Sequence, residues 1–219
     1  MTNDTVVPGC IEIDGFLKVT QMEQDDDADT LIVLLDNGKL GKRPISTLIT
    51  EGHYIGELFG GGIVFHTYDN GQHGLIVNLY DLGGSSGISW NNGTNTLTGA
   101  SSYINGAANT TTIISAQGSG TYGAQICADF NYNGYSDWVL PSAIELRELS
   151  NVLLRINNVL ESDGNSTSTP IHIMSGDTNN YWSSTESNIS EAITFSFFGV
   201  QMVESDKSNT LRVRAIRSF

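Results

Sequence analysis

Apolar residues recur along this chain with a period of two in some stretches and a helical period in others, and the change of period divides it. Residues 11–19, IEIDGFLKV, alternate as a strand does. TLIVLLDNGKLGKRPIS then reads as a hairpin turning at Asn37-Gly38, a pair that accepts the positive φ angles of a two-residue turn. GGIVFHTYDNGQHGLIVNLY predicts strands at 62–68 and 73–80 around a turn at Asp69-Asn70-Gly71. After Pro141 the period becomes helical. Ile144, Leu146, Leu149, Val152, Leu153, Ile156, Val159 and Leu160 share one face, and Ser142 with Glu145 makes a capping box. One long helix over about 142–161 is expected. NTTTIISAQGSGTYGAQICADF holds a short helix or two. YWSSTE, AITFSFFGVQMVE and LRVRAIRSF read as three strands of an antiparallel meander.

The texture shifts near residue 56. Residues 1–56 offer one strand, an acidic turn (QDDDAD) and one hairpin, too little to bury a core. Such a section must pair with another copy or dock on a partner. Residues 57–219 carry enough apolar positions for a domain of their own. Net charge is −14. Ten acids and four bases fall in 1–56, and fourteen acids and six bases in 57–219. That surface repels phosphate backbones and anionic membranes, so nucleic acid is excluded as a partner. No apolar run is long enough to cross a bilayer, so no membrane insertion is expected. The opening residues show no secretory signal. Cys10 and Cys127 read as two unpaired thiols.

Enzyme signatures match by letter and fail by context. Gly83 to Gly87 fits a nucleophile elbow, but the polar stretch after it is no helix. Gly118, Gly120 and Gly123 lack the strand and the acidic residue of a dinucleotide site. His53, His66, His73 and His172 show no zinc spacing. The stretch CADFNYNGYSDWVLPSAIELREL holds Asp129, Asn131, Asn133 and Asp137, oxygen ligands in the order of a calcium loop. Its twelfth position, where such a loop needs a bidentate Glu, is Leu140. A polar turn leading into the helix is therefore preferred. No cofactor is expected, calcium at those four residues being the alternative.

From Gly60 onward the order of motifs resembles a known family. GGGIVFHTYDNGQHGLIV, GISW, NTTTIISAQG, GAQICADF, NGYSDWVLPSAIELREL, YWSSTE and LRVRAIRSF are similar to the C-terminal domain of the collagen-like bacterial adhesins. The resemblance implies an α+β, C-type-lectin-like fold, often trimeric, that binds rather than catalyses. It also implies that Trp90, Trp138 and Trp182 are buried scaffold. That family is associated with sulfated polysaccharides, which call for a basic face. Residues 57–219 lack one, so neutral or amino sugars are easier to accommodate. The section 1–56 resembles the attachment leader of phage fibres. A sulfatase-modifying enzyme uses a related fold but works through a cysteine pair, and this domain has Cys127 alone.

The expectation is thus an α+β, C-type-lectin-like binding domain on a short β leader, not an enzyme. It forms a homotrimer on a virion surface, with residues 1–56 attached to virion proteins, and recognises a host-surface glycan or protein. A purely structural virion protein and a bacterial cell-surface adhesin are the alternatives. Ligand contacts are expected from the polar stretches 91–109 and 163–181 and the turn at 204–209. The residues named for them are Asn91, Asn92, Tyr103, Asn179, Asn180 and Tyr181, amides for sugar hydroxyls and aromatics for stacking.

Overall fold

The computed structural model describes residues 12–14, 16–18, 30–34, 40–44 and 52–219, apart from 85, 177 and 178. The chain forms two compact units, Met1–Glu51 and Gly52–Phe219. The division lies before Gly52 rather than after residue 56, because residues 52–56 are tied to the second unit. The His53 amide donates to Gly71 O at 2.8 Å and the Gly56 amide to Val64 O at 2.7 Å, and the His53 ring stacks on Phe59.

In the first unit β1 (Glu12–Asp14) pairs antiparallel with β2 (Phe16–Lys18), and β3 (Thr30–Leu34) with β4 (Leu40–Pro44). The alternating run 11–19 is therefore two short strands folded on each other, not one. Asp14-Gly15 is itself a turn signal. The hairpin strands expected further on are present. The turn at Asn37-Gly38 and the acidic run 24–29 lie outside the described residues.

The second unit is mixed α+β. Its first sheet is four antiparallel strands in the order β11-β7-β6-β5: β5 (Leu58–Phe59), β6 (Gly62–Tyr68), β7 (His73–Val77) and β11 (Ile216–Ser218). Asp69, Asn70 and Gly71 all take positive φ in the β6–β7 turn, as their residue types allow. Strand β7 ends at Val77, short of the expected residue 80. There the Asn78 side chain replaces a ladder carbonyl, its Oδ1 accepting the Ala215 amide at 3.0 Å. Alternation along β6 buries both faces. Ile63 and Phe65 enter one core cluster and Val64 the other.

Four helices follow: α1 (Gly106–Gln117), α2 (Gly123–Ala128), α3 (Ala143–Asn151) and α4 (Leu153–Ser162). The capping box of Ser142 and Glu145 starts α3 as expected. The single long helix does not form. It breaks at Val152, whose φ of −120° and ψ of 10° are non-helical. Ser150 and Asn151 turn their side chains back on Arg147 O and Glu148, and a β-branched residue follows them, three weak helix formers in a row. Leu146, Leu149, Leu153, Ile156 and Leu160 still face one core, against Ile63, Phe65 and Val77.

The second sheet is a meander in the order β10-β9-β8: β8 (Tyr181–Glu186), β9 (Glu191–Ser196) and β10 (Gln201–Asp206). The C-terminal run does not join it as an outer strand, as the sequence pattern implied. Residues 211–218 instead lace the two sheets together. They meet β8 at Tyr181 and Arg212, then Leu82 at Val213, then β7 at β11. Alternation explains the route. Leu211, Val213 and Ala215 point into the core with the tryptophans, while Arg212 and Arg214 point to the other side. Trp90, Trp138 and Trp182 are buried, and their indole N–H groups donate to Ser183 O, Tyr135 O and Ile88 O.

Candidate functional site

Strand β8 is buried along its whole length, and a buried ionic cluster holds the loops at each of its ends. At the C-terminal end the Lys207 ammonium, with a fully buried side chain, donates to Glu186 Oε1 at 2.6 Å. It also reaches Thr96 O at 3.1 Å and Ile189 O at 3.0 Å, and lies 4.7 Å from the Trp90 ring centroid. Glu186 accepts the Thr98 and Gly99 amides as well. Burial alone would raise its pKa, but the hydrogen bonds from Lys207 and those amides outweigh it and hold the carboxyl below its ordinary value. Three loops, 91–99, 187–190 and 206–209, thus converge on one ion pair.

At the N-terminal end the centre is Asp81. It accepts from Arg212 Nη1 at 2.8 Å, Arg214 Nε at 2.6 Å and the Tyr181 hydroxyl at 3.0 Å. Arg214 is fully buried, and its remaining N–H groups donate to Asn78 O and to Thr169. The Tyr181 hydroxyl accepts the His172 amide. Burial, with the Asp81 charge added, pushes the Tyr181 hydroxyl far up. Burial also lowers the His172 imidazole, helped by the charge of Arg212. This cluster anchors the stretch 169–181.

That stretch begins beside a shallow, open cleft of about 350 Å³ lined by Leu160, Glu161, Asp163, Gly164, Asn165, Ser166, Ser168 and Pro170. Asp163 accepts from the Asn165 amide and the Ser168 hydroxyl, and Asn165 donates to the Tyr132 hydroxyl. The Thr169 amide donates to Leu79 O.

A model of the Lcl C-terminal domain matches residues 84–217, more than half of the chain. The chain belongs to the Lcl C-terminal domain family. No curated protein matches it. The matched span takes in all four helices, the meander and the arginine-bearing C-terminal run, and Lcl-type domains are the kind found on adhesin-like surface proteins. Strands β5, β6 and β7 precede the matched residues and complete the first sheet with β11.

Within this Lcl C-terminal domain the six residues named from sequence do not form one site. Asn91, Asn92 and Tyr103 lie toward the Glu186 end of β8, and Asn179, Asn180 and Tyr181 at its other end. Five steps of about 3.3 Å separate those ends, roughly 16 Å. Tyr181 is completely buried and cannot stack on a sugar. Asn91 and Asn180 are buried too. The Asn91 side chain is tied into its own loop, donating to Asn95 Oδ1 and accepting the Gly93 amide. Asn92 is exposed, but its amide group donates to Gln117 O. Asn179 is half-buried and donates to Ser175 O. Tyr103 is 47% exposed.

The four candidate calcium residues take other parts. Asn133 and Gly134 have φ of 50° and 83°, and Tyr132 and Tyr135 exchange backbone hydrogen bonds across them. That is a two-residue primed turn. Asp137 accepts a bidentate pair from Arg217, at 2.7 and 2.9 Å, and those bonds lower its pKa. Asp129 and Asn131 are exposed, with Asp129 accepting from Gln125. Among the described residues no three His, Cys, Asp or Glu side chains are grouped to hold a metal ion.

The sequence reading passed over Asp81, Arg212, Arg214, Glu186 and Lys207. Two signals pointed to them. Lys207 is the one lysine after residue 51, and Arg212 and Arg214 alternate with core residues.

Proposed function

We propose that this protein is a non-enzymatic, adhesin-type binding protein whose second unit recognises an uncharged glycan on a cell surface. One observation carries the choice of ligand. Of the six Lys and Arg residues in 57–219, four are ion-paired and at most 15% exposed in their side chains: Lys207, Arg212, Arg214 and Arg217. Arg147 and Arg155 remain, against a surface that displays Asp69, Asp129, Glu161, Glu204 and Asp206. Such a face repels sulfated and sialylated chains and accommodates sugars that bind through hydroxyl groups. Membership of the Lcl C-terminal domain family supports surface binding as the role.

The unit is presented as a homotrimer, because one shallow sugar site binds weakly and multivalency raises avidity. Residues 1–56 attach it to a virion, as a phage fibre or tip. A bacterial cell-surface adhesin is the alternative that family membership favours equally. A structural virion protein is favoured by a different observation. Phe198 and Val200 at the β9–β10 turn, with Ile173 and Met174, are large, apolar and exposed, and such residues suit contact with protein.

The test is attachment of the intact, labelled chain to cells, competed by a neutral polysaccharide (dextran or mannan) and by heparin over a range of salt. Competition by a neutral polymer, insensitive to salt, is expected. Competition by heparin alone, weakening with salt, would overturn the choice of ligand. Absence of attachment to any cell would favour the structural role.

A further inference from the structure

We infer that the outer edge of β10 docks an extended, basic segment of a partner protein, which adds a fourth antiparallel strand to the meander. This interface is independent of the glycan reading above. Strand β10 is the outermost of its sheet, and the ladder behind it fixes which of its backbone groups are free.

The Trp182 amide donates to Arg212 O and the Arg212 amide to Asn180 O. Tyr181 therefore turns its backbone groups to β9, where Phe195 stands opposite. Backbone direction alternates along a strand, so Thr194 and Ser196 turn toward β10 and meet Val203 and Gln201 there. The Lys207 amide, donating to Ser190 O, continues the same alternation. The N–H and C=O groups of Met202 and Glu204 thus point outward, without a hydrogen-bond partner among the described residues. Folds commonly blunt such an edge with a lysine, a proline or a bulge. The strand QMVESD has none of these, and it pairs with β9 residue for residue without a shift of register.

The side chains along the edge choose the partner. Asp206 stands directly opposite Glu191, and Glu204, two residues along, shares their face. Like charges placed so close cost stability. The Lys and Arg nearest in the chain, Lys207 and Arg212, are committed to Glu186 and Asp81. On the other face Val203 is 36% exposed. A strand laid on this edge sets its side chains about 4.5–5.5 Å from those of β10. Basic residues opposite Glu204 and Asp206, alternating with apolar ones opposite Val203, match both faces. Main-chain bonds to Met202 and Glu204 then supply affinity and the alternating side chains supply specificity. A second copy of β10 would instead bring further carboxylates to an edge that already lacks cations.

The probe is an alternating lysine–valine octapeptide, titrated into the intact ¹⁵N-labelled chain. It is made in two isomers of equal charge, with backbone methyl groups on every valine nitrogen or on every lysine nitrogen. Lysines opposite Glu204 in an antiparallel pair must offer their own N–H groups to the edge. The valine-methylated isomer is therefore expected to bind and to shift the Met202 and Glu204 amides, and the lysine-methylated isomer is expected not to. An alternating glutamate–valine peptide, valine-methylated, is expected not to bind. Glu204→Lys, at an exposed position, is expected to weaken binding about five-fold or more with the melting temperature unchanged. Equal binding of the two isomers, or preference for the lysine-methylated one, would overturn antiparallel strand addition. Binding of the acidic peptide as tightly as the basic one, or no binding of any peptide, would overturn the docking site. Shifts of the same amides on raising the protein concentration alone would put a second copy on the edge and overturn the basic partner.

Discussion

Replacing Lys207 with Met tests whether a buried ion pair holds the loops at the C-terminal end of β8. The substitution keeps the length and apolar stem of the side chain and removes the ammonium. Glu186 then stays buried with the Thr98 and Gly99 amides as its remaining partners, while Thr96 O and Ile189 O lose a donor. Removing one partner of a buried pair costs about 3–5 kcal/mol. The two amide bonds that survive place this case near the lower end, about 3 kcal/mol. For a domain of this size each kcal/mol lowers Tm by about 2–4 °C, so a fall of roughly 6–12 °C is expected. All three tryptophans, Trp90, Trp138 and Trp182, lie in the second unit, so tryptophan fluorescence of the intact chain reports that unit alone.

The pH dependence sharpens the test. The folded-state pKa of Glu186 lies below its ordinary value of 4.5. Its contribution to stability is therefore complete above about pH 4.5 and is lost as pH falls through the folded value. In Lys207→Met the unpaired buried carboxyl gains from protonation instead. The Tm gap between wild type and variant should narrow as pH is lowered from 7 to 3. The double variant Glu186→Gln/Lys207→Met keeps an acceptor for both amides without a charge, and should recover at least about half of the loss. A single variant within about 2 °C of wild type, or a gap as wide at pH 3 as at pH 7, would refute the reasoning.

Asp81→Asn leaves Arg214 buried and Arg212 half-buried without their carboxylate, and urea denaturation should show a loss of about 3 kcal/mol or more, whereas Tyr181→Phe removes one hydrogen bond and should cost about 1 kcal/mol. Asn133→Ala forces a Cβ-bearing residue without a polar side chain into positive φ and should cost about 1 kcal/mol, while Asn133→Gly should be neutral or stabilising. Added calcium should leave the melting temperature of the intact chain unchanged, and a rise of several degrees would make Asp129 and Asn131 ligands. Burial raises the Cys127 thiol far above its ordinary pKa, so a thiol reagent should label it only in step with unfolding, and rapid labelling in the native state would contradict its placement.

Much of the fold was legible because it rests on local rules. The capping box at Ser142, the turn at Asp69-Asn70-Gly71 and the alternation in GIVF depend on neighbours a few residues apart. The failures share a physical origin as well. The apolar positions of α3 and α4 keep one spacing across Val152, so periodicity could not show a break set by backbone competition at Ser150 and Asn151. The run 211–218 looks like any outer strand. Its true partners, β8 at one end and β7 at the other, are fixed by which sheet has an open edge where the chain returns.

The candidate site was harder to read because composition does not reveal whether a polar residue faces solvent or the scaffold. Asn91 and Tyr181 carry the chemistry of sugar binding, yet one closes its own loop and the other serves Asp81 from inside the core. Burial of the polar groups followed from charges distant in sequence. Asp81 meets Arg212 and Arg214 more than a hundred residues away, and no local pattern encodes that meeting. The ionic clusters in turn decide what the surface can do. By drawing Lys207, Arg212 and Arg214 inward to fasten the loops, they remove cations from the faces those loops present. Loop rigidity and an acidic, anion-rejecting exterior are therefore one consequence of the same buried pairs. Asp81→Asn, which takes the carboxylate from Arg212 and Arg214 and leaves both cations in place, should loosen the stretch 169–181 and raise retention of the intact chain on heparin, and retention equal to wild type would count against this link.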